Sequence, residues 1–253
     1  MMKRELKELL QILAIQYETP EFILNDPIQI PRQYSNLVDI EVSALITSWI
    51  ATGNRKQIIK TASSVDLDLF KKTPYLYILE QKWRKYKGKS ESFYRFYSFN
   101  DFFTLCDALF SIYDEYDSLE NYLKLSFNEL SPLHGLQSTF GHINGIPEVK
   151  SSSEAKKLCM FLRWMVRRNS PVDIGAWQSF DPQYLIIPLD THVYRLAKEN
   201  WQLISGSKCM KTACELTEQL CEVWPNDPAK GDFAIFGYGV NQTRGERFLE
   251  VQK

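Results

Sequence analysis

Apolar positions recur at three- and four-residue spacing along most of the chain, with polar or charged residues between them, the pattern of helices that bury one face. Leu6, Leu9, Leu10 and Leu13 set it within residues 1–17, among Lys3, Arg4 and Lys7. That mixture is an amphipathic helix, not a signal peptide. Ile40, Ala44, Leu45 and Trp49 predict a buried helix from Asp39. Phe103, Leu105, Leu109, Phe110 and Tyr113 predict another over 100–116, and 119–130 repeats the spacing. Leu158, Phe161, Leu162 and Met165 form the apolar face of a helix over 155–168, for which Ser151, Ser152, Ser153 and Glu154 supply an N-cap cluster. Helices over 210–223 and 229–240 follow, the second with glycines that permit close packing. No credible strand series, internal repeat or low-complexity tract breaks this order, so the expected class is all-α.

Pro20, Pro27 and Pro31 cannot donate to a helix ladder and predict an ordered connector. Thr52-Gly53-Asn54 interrupts a helical pattern that resumes over 55–64. An ordinary helix–helix turn explains it, and the same break would leave backbone donors free at a helix start. Residues 132–147 carry Gly135, Gly141 and Gly145 and are expected to be a connector, and 171–183 an irregular stretch with Trp177 and Phe180 packed down.

At 253 residues the chain can build one large core or two lobes that share an interface. Hydrophobic residues make up 44% and aromatic residues 13%, which excludes a disordered tail. The formal net charge is -1 and the pI about 6.3, so contact with nucleic acid must come from local patches. Lys82, Arg84, Lys85, Lys87 and Lys89 interleave with Trp83 and Tyr86, as a strand-tracking surface or as a solvated helix end. Five cysteines without paired C-x-x-C spacing argue for a reducing compartment, and no apolar run approaches the ~20 residues of a membrane span. A soluble cytoplasmic protein is expected, with no metal or cofactor. His134 and His142 lack the neighbours of a zinc site.

The segment with most chemical content is Ile186-Ile187-Pro188-Leu189-Asp190-Thr191-His192-Val193-Tyr194-Arg195-Leu196-Ala197. Asp190 sits where a helix would begin, so its carboxylate reads first as an N-cap facing the positive end of the helix dipole. Lys156 and Lys157 fall in the first turn of their helix, the wrong end for a cation. Either both point into water, or one turns into a cleft, loses its proton more readily and serves as a nucleophile.

Leu189-Asp190-Thr191-His192-Val193-Tyr194-Arg195 resembles the segment that carries the catalytic aspartate of helix-hairpin-helix DNA glycosylases, the superfamily of endonuclease III and the 8-oxoguanine glycosylases. More of the chain is similar to an uncharacterised bacterial family usually placed beside those enzymes. The matching phrases are Phe22-Ile23 with Asp26-Pro27-Ile28, Gly53-Asn54-Arg55-Lys56, Phe161-Leu162-Arg163-Trp164-Met165-Val166-Arg167, the Asp190 segment, and Asp232-Phe233-Ala234-Ile235-Phe236-Gly237. The resemblance implies two helical lobes with a cleft between them, one from about 1–49 and 185–253, the other from about 50–184. It implies a monomer whose partner is DNA. Asp190 takes the place of the aspartate that orients the nucleophile and stabilises positive charge. Lys156, or Lys157 one residue on, matches the lysine that attacks the sugar in bifunctional members. Gly53 and Asn54 fall near the loop that fills the gap left by a flipped base. Arg55, Arg163, Trp164, His192 and Arg195 complete the expected substrate- and DNA-contacting set, with Trp164 either along the pocket or in the core.

Two features depart from that superfamily. Ile146-Pro147-Glu148-Val149-Lys150-Ser151 stands where its glycine hairpin precedes the lysine, and no cysteines after Asp190 match its iron–sulfur spacing. The expected activity is excision of a damaged base, such as an oxidised purine, with or without strand cleavage. The alternative is a nucleic-acid-binding protein that keeps the fold and has lost excision.

Overall fold

The computed structural model describes residues 2–64, 73–129 and 131–242, and over them the chain is mostly helical. Among these residues no helix is long and apolar enough to cross a membrane. Helix α1 (Arg4–Tyr17) buries Leu10, Leu13 and Ala14, the stripe its leucine spacing predicts. The proline connector is a chain of 3-10 turns, Pro20–Asn25, Pro27–Gln29 and Pro31–Gln33, each with proline in its first turn, where a missing N–H costs no ladder bond.

Helix α2 (Leu37–Trp49) is buried almost all round and packs along α8 (Lys156–Val166). Glu41 is wholly enclosed, and burial raises its pKa. Four donors meet its carboxylate: Trp177 Nε1 at 2.7 Å, Leu119 N at 2.9 Å, Glu120 N at 3.0 Å and Tyr113 Oη at 3.0 Å. One acid thus ties α2 to the end of α5 (Phe99–Glu115), the start of α6 (Leu119–Phe127) and the irregular stretch before Asp190. Helices α3 (Arg55–Ser64) and α4 (Pro74–Leu79) lie in the same half of the chain, and α9 (Thr191–Arg195), α10 (Met210–Cys221) and α11 (Gly231–Gln242) follow α8.

Buried apolar side chains form two clusters. The larger draws on residues from Ile28 to Leu185 with Ala229 and Phe233, and includes α2. The smaller joins α1 to residues from Ile187 to Ile235. A buried ion-pair network runs from the last turn of α8 to the residue after it: Arg163 pairs with Asp232 and Asp173, and Arg167 with Asp173, with Asp227 at 2.7 Å and with Glu18 at 2.8 Å. Burial pulls Arg167 down, but its bond to Asp227 and the charges of Asp173 and Glu18 outweigh it, so its pKa is raised.

Several details differ from or refine the sequence expectation. Within 132–147 the chain forms helix α7 (Leu133–Phe140), because Leu133, Leu136 and Phe140 share a face and Gly135 allows contact with Leu123 and Phe127. A small antiparallel hairpin, β1 (Ser92–Tyr94) with β2 (Tyr97–Ser98), interrupts the helices. The Ser151–Glu154 cluster does not cap α8: Ser151 and Ser153 bond within their own loop, Glu154 pairs with Lys208 at 2.9 Å, and the helix starts after a left-handed Ala155 with no side-chain cap. In the basic stretch Trp83 is fully buried, and Lys85 and Lys89 lie over the Tyr86 ring and Lys87 over Phe103, so the lysine stems cover apolar surface. Helix α6 ends at Phe127, and Leu130, the expected last residue of that helix, lies outside the described residues.

Candidate active site

Asp190 is the N-cap of α9: its Oδ1 accepts from Val193 N at 2.7 Å. The preceding Ile187, Pro188 and Leu189 are buried, which fixes the direction from which the chain enters the helix. Asp190 also lines a cavity of about 270 Å³. Lys156 and Arg163 reach it from α8, Gly53 and Arg55 from the α2–α3 turn, His192 from α9, and Asp232 and Phe236 from α11. Phe22, Asp26 and Met160 complete the part of the wall that bears on chemistry.

The cavity mixes carboxylates and cations. Asp26 pairs with Arg55 at 3.4 Å, and its other oxygen accepts from Ile28 N at 3.1 Å. The Arg55 guanidinium lies 4.5 Å from the Phe236 ring centre and 5.4 Å from that of Phe22, so a flat cation rests on the aromatic wall. His192 meets the same Phe236 edge-on at 6.3 Å. Asp232 pairs with Arg163, yet burial outweighs that attraction and the charges of Asp190, Asp173 and Asp26 add to it, lifting Asp232 to about 7.

A second cavity, of about 340 Å³, adjoins the first and shares Ala51, Gly53 and Lys156 with it. Thr52, Gly145, Lys157 and Thr191 are among its other walls. Lys157 turns toward the hairpin, where its amine donates to the Tyr97 hydroxyl. Burial, with the charge of Lys156 beside it, brings Lys157 down to about 7. The Tyr97 ring packs tilted against Trp49 at 4.6 Å between centres, and burial raises its pKa, so the hydroxyl stays protonated beside the amine. Gly145 (φ +84°) leaves room for that ring, since a Cβ there would meet Tyr97 Oη at 2.6 Å.

The structure therefore brings Asp190, Lys156, Gly53, Arg55, Arg163 and His192 to one cavity, and Lys157 to the adjoining one. Asn54 lines neither; its side chain accepts from Lys56 N at 2.8 Å and caps α3. Trp164 is fully buried in the larger cluster, and Arg195 is exposed on α9 outside both cavities. Asp26, Met160, Asp232, Phe236 and Tyr97 were not singled out from sequence. Asp26, Asp232 and Phe236 stand in phrases that carry the family resemblance, which was the available signal, whereas nothing in sequence pairs Tyr97 with Lys157. Among the described residues no group of three or more His, Cys, Asp or Glu side chains is arranged to hold a metal ion.

Residues 26–241 match the model of a family described as "Protein of unknown function (DUF2400)", and the chain belongs to that family. No curated protein and no solved structure matches it.

Proposed function

We propose that this family member is a DNA base-excision glycosylase, acting as a monomer on a damaged base drawn into the 270 Å³ cavity. In this reading the cavity is the cleft between two helical lobes of a glycosylase-like fold. The observation that carries it is that Lys156 and Asp190, an amine and a capping carboxylate from separate helices, line one cavity with an aromatic wall. Such a wall suits a flipped base, whose unstacking costs a few kcal/mol and less when the base is damaged. The Lys156 amine attacks C1′ of the sugar. A C–N bond forms to lysine as the glycosidic bond breaks, and the base leaves with the electron pair and takes up a proton. Asp190 stabilises the positive charge that builds on the sugar. Loss of a proton and ring opening then give a Schiff base on the lysine.

Borohydride trapping on an oligonucleotide with 8-oxoguanine or an abasic site tests this. The adduct should form with the native protein and vanish in Lys156→Ala. An adduct undiminished in both Lys156→Ala and Lys157→Ala would sink the nucleophile assignment.

A second reading is a nucleic-acid-binding protein without excision, for which Lys82, Arg84, Lys85, Lys87 and Lys89, interleaved with Trp83 and Tyr86, would supply the local basic patch. Salt-sensitive gel shifts without base release would select it.

A further inference from the structure

We infer that Phe96 is the side chain that enters the base stack of a DNA duplex when a nucleotide is drawn out of it, an inference that rests on the base-excision reading. Phe96 is 76% exposed, and among the described residues it is the one exposed phenylalanine. It occupies the tip of the β1–β2 hairpin, in the two-residue connection Arg95-Phe96. Exposure of a single apolar side chain is ordinary; what sets Phe96 apart is its position at the tip of a held hairpin.

The tip is held firmly on residues that line the second cavity. Tyr94 Oη donates to Thr52 O at 2.9 Å, and the Arg95 guanidinium donates to the same carbonyl at 3.2 Å. Arg95 adopts φ +53°, a left-handed conformation that costs a non-glycine residue strain and that these bonds hold in place. Gly53 lies beneath it at φ +97°, a conformation that favours glycine, and a Cβ there would displace the guanidinium. On the other flank Asn144 Nδ2 donates to Phe96 O at 3.0 Å, and Tyr97 is pinned between Trp49 and the Lys157 amine. The backbone that carries Phe96 is thus fixed while its ring is left out in solvent, the arrangement that inserts an apolar wedge at least entropic cost.

The loop that the resemblance designates for gap filling offers nothing to insert. Gly53 has no side chain, and the Asn54 oxygen is engaged in capping α3. The ring of Phe96 has the flat apolar face that stacking requires, and the Arg95 cation 5.8 Å from it suits a phosphate-rich surface.

The test uses the full chain and two duplexes, one with a tetrahydrofuran nucleotide, an abasic analogue, opposite 2-aminopurine for fluorescence, and one with 8-oxoguanine for base release. Saturating native protein should change the 2-aminopurine fluorescence. Phe96→Ala, folded by circular dichroism and bound at saturation, should lose that change and release a damaged base roughly tenfold more slowly, the scale of one lost base–aromatic stack. Phe96→Tyr should restore both. If Phe96→Ala matches the native protein in both readouts, the wedge assignment is overturned and base excision stands. If the fluorescence change depends on Phe96 but the native protein releases no base, the wedge holds and the excision reading falls. Native protein that leaves the duplexes unbound overturns both.

Discussion

The Lys157 amine lies 4.6 Å from the centre of the Tyr97 ring and donates to its hydroxyl. Burial brings this lysine down to about 7 from 10.5, so near neutral pH about half of it is a free amine. Lys157 should be the first of the described lysines to react with fluorodinitrobenzene at pH 7, with a rate that is half-maximal near that pH. Peptide mapping checks this, and preferential labelling elsewhere would contradict it.

The same shift makes folding pH-dependent. Between about 7 and 10.5 the unfolded amine is charged while the folded one is neutral, so the unfolded chain holds more protons. Stability contributed by this group therefore rises with pH through that window and is at its lowest, and flat, below about 7. Lys157→Met should flatten the slope in urea melts taken across the window. A slope unchanged by the substitution would place its origin elsewhere.

Asp190 has a structural role and a proposed chemical one, and two substitutions separate them. Asparagine is as good an N-cap as aspartate, so Asp190→Asn should leave thermal stability nearly unchanged, whereas Asp190→Ala should lose ~1 kcal/mol. If the carboxylate stabilises charge on the sugar, both should slow base release, by about a hundredfold or more. Asn at 190 with native activity would leave Asp190 a cap alone.

Arg167 is enclosed by Asp173, Asp227 and Glu18. Arg167→Met leaves those carboxylates without their shared cation and should cost ~3–5 kcal/mol, read by denaturant unfolding. Arg4→Met, which breaks an exposed, solvent-screened pair with Glu8, should leave the unfolding midpoint nearly unchanged.

Glu41 accepts four donors inside the core. Glu41→Gln exchanges one acceptor oxygen for an NH₂ group that faces donors, and should destabilise by ~2–4 kcal/mol. Urea unfolding followed by tryptophan emission reads both the stability and the environment of Trp177. A stability within error of the native value would show that water replaces the lost acceptor.

The helices were legible where one face is apolar and the spacing is regular, as in α1, α5 and α8, because burial of that face is itself what holds them. The site was legible as far as local pattern reaches: Asp190 at a helix start and Lys156 at another. Helix α7 was obscured by Gly135 and Gly141, which local propensity scores as breakers and which packing turns to use against Phe127 and Glu148. The hairpin is too short for alternation to show, and it is anchored by hydrogen bonds to Thr52 and Asn144, far away in the chain. The side chains that line the cavity with Asp190 come from five separate segments, and sequence periodicity carries no information on which segments meet.

Helix α11 gives Asp232, Phe236 and Val240 to the cavity, and on another face receives Tyr17 of α1 in the space that Gly237 leaves open. During synthesis α1 emerges from the ribosome early and its docking surface emerges late. Nascent chains that have not yet released residues 231–242 have neither a seat for Tyr17 nor a closed wall beside Asp190, so the site cannot be assembled by half-made protein.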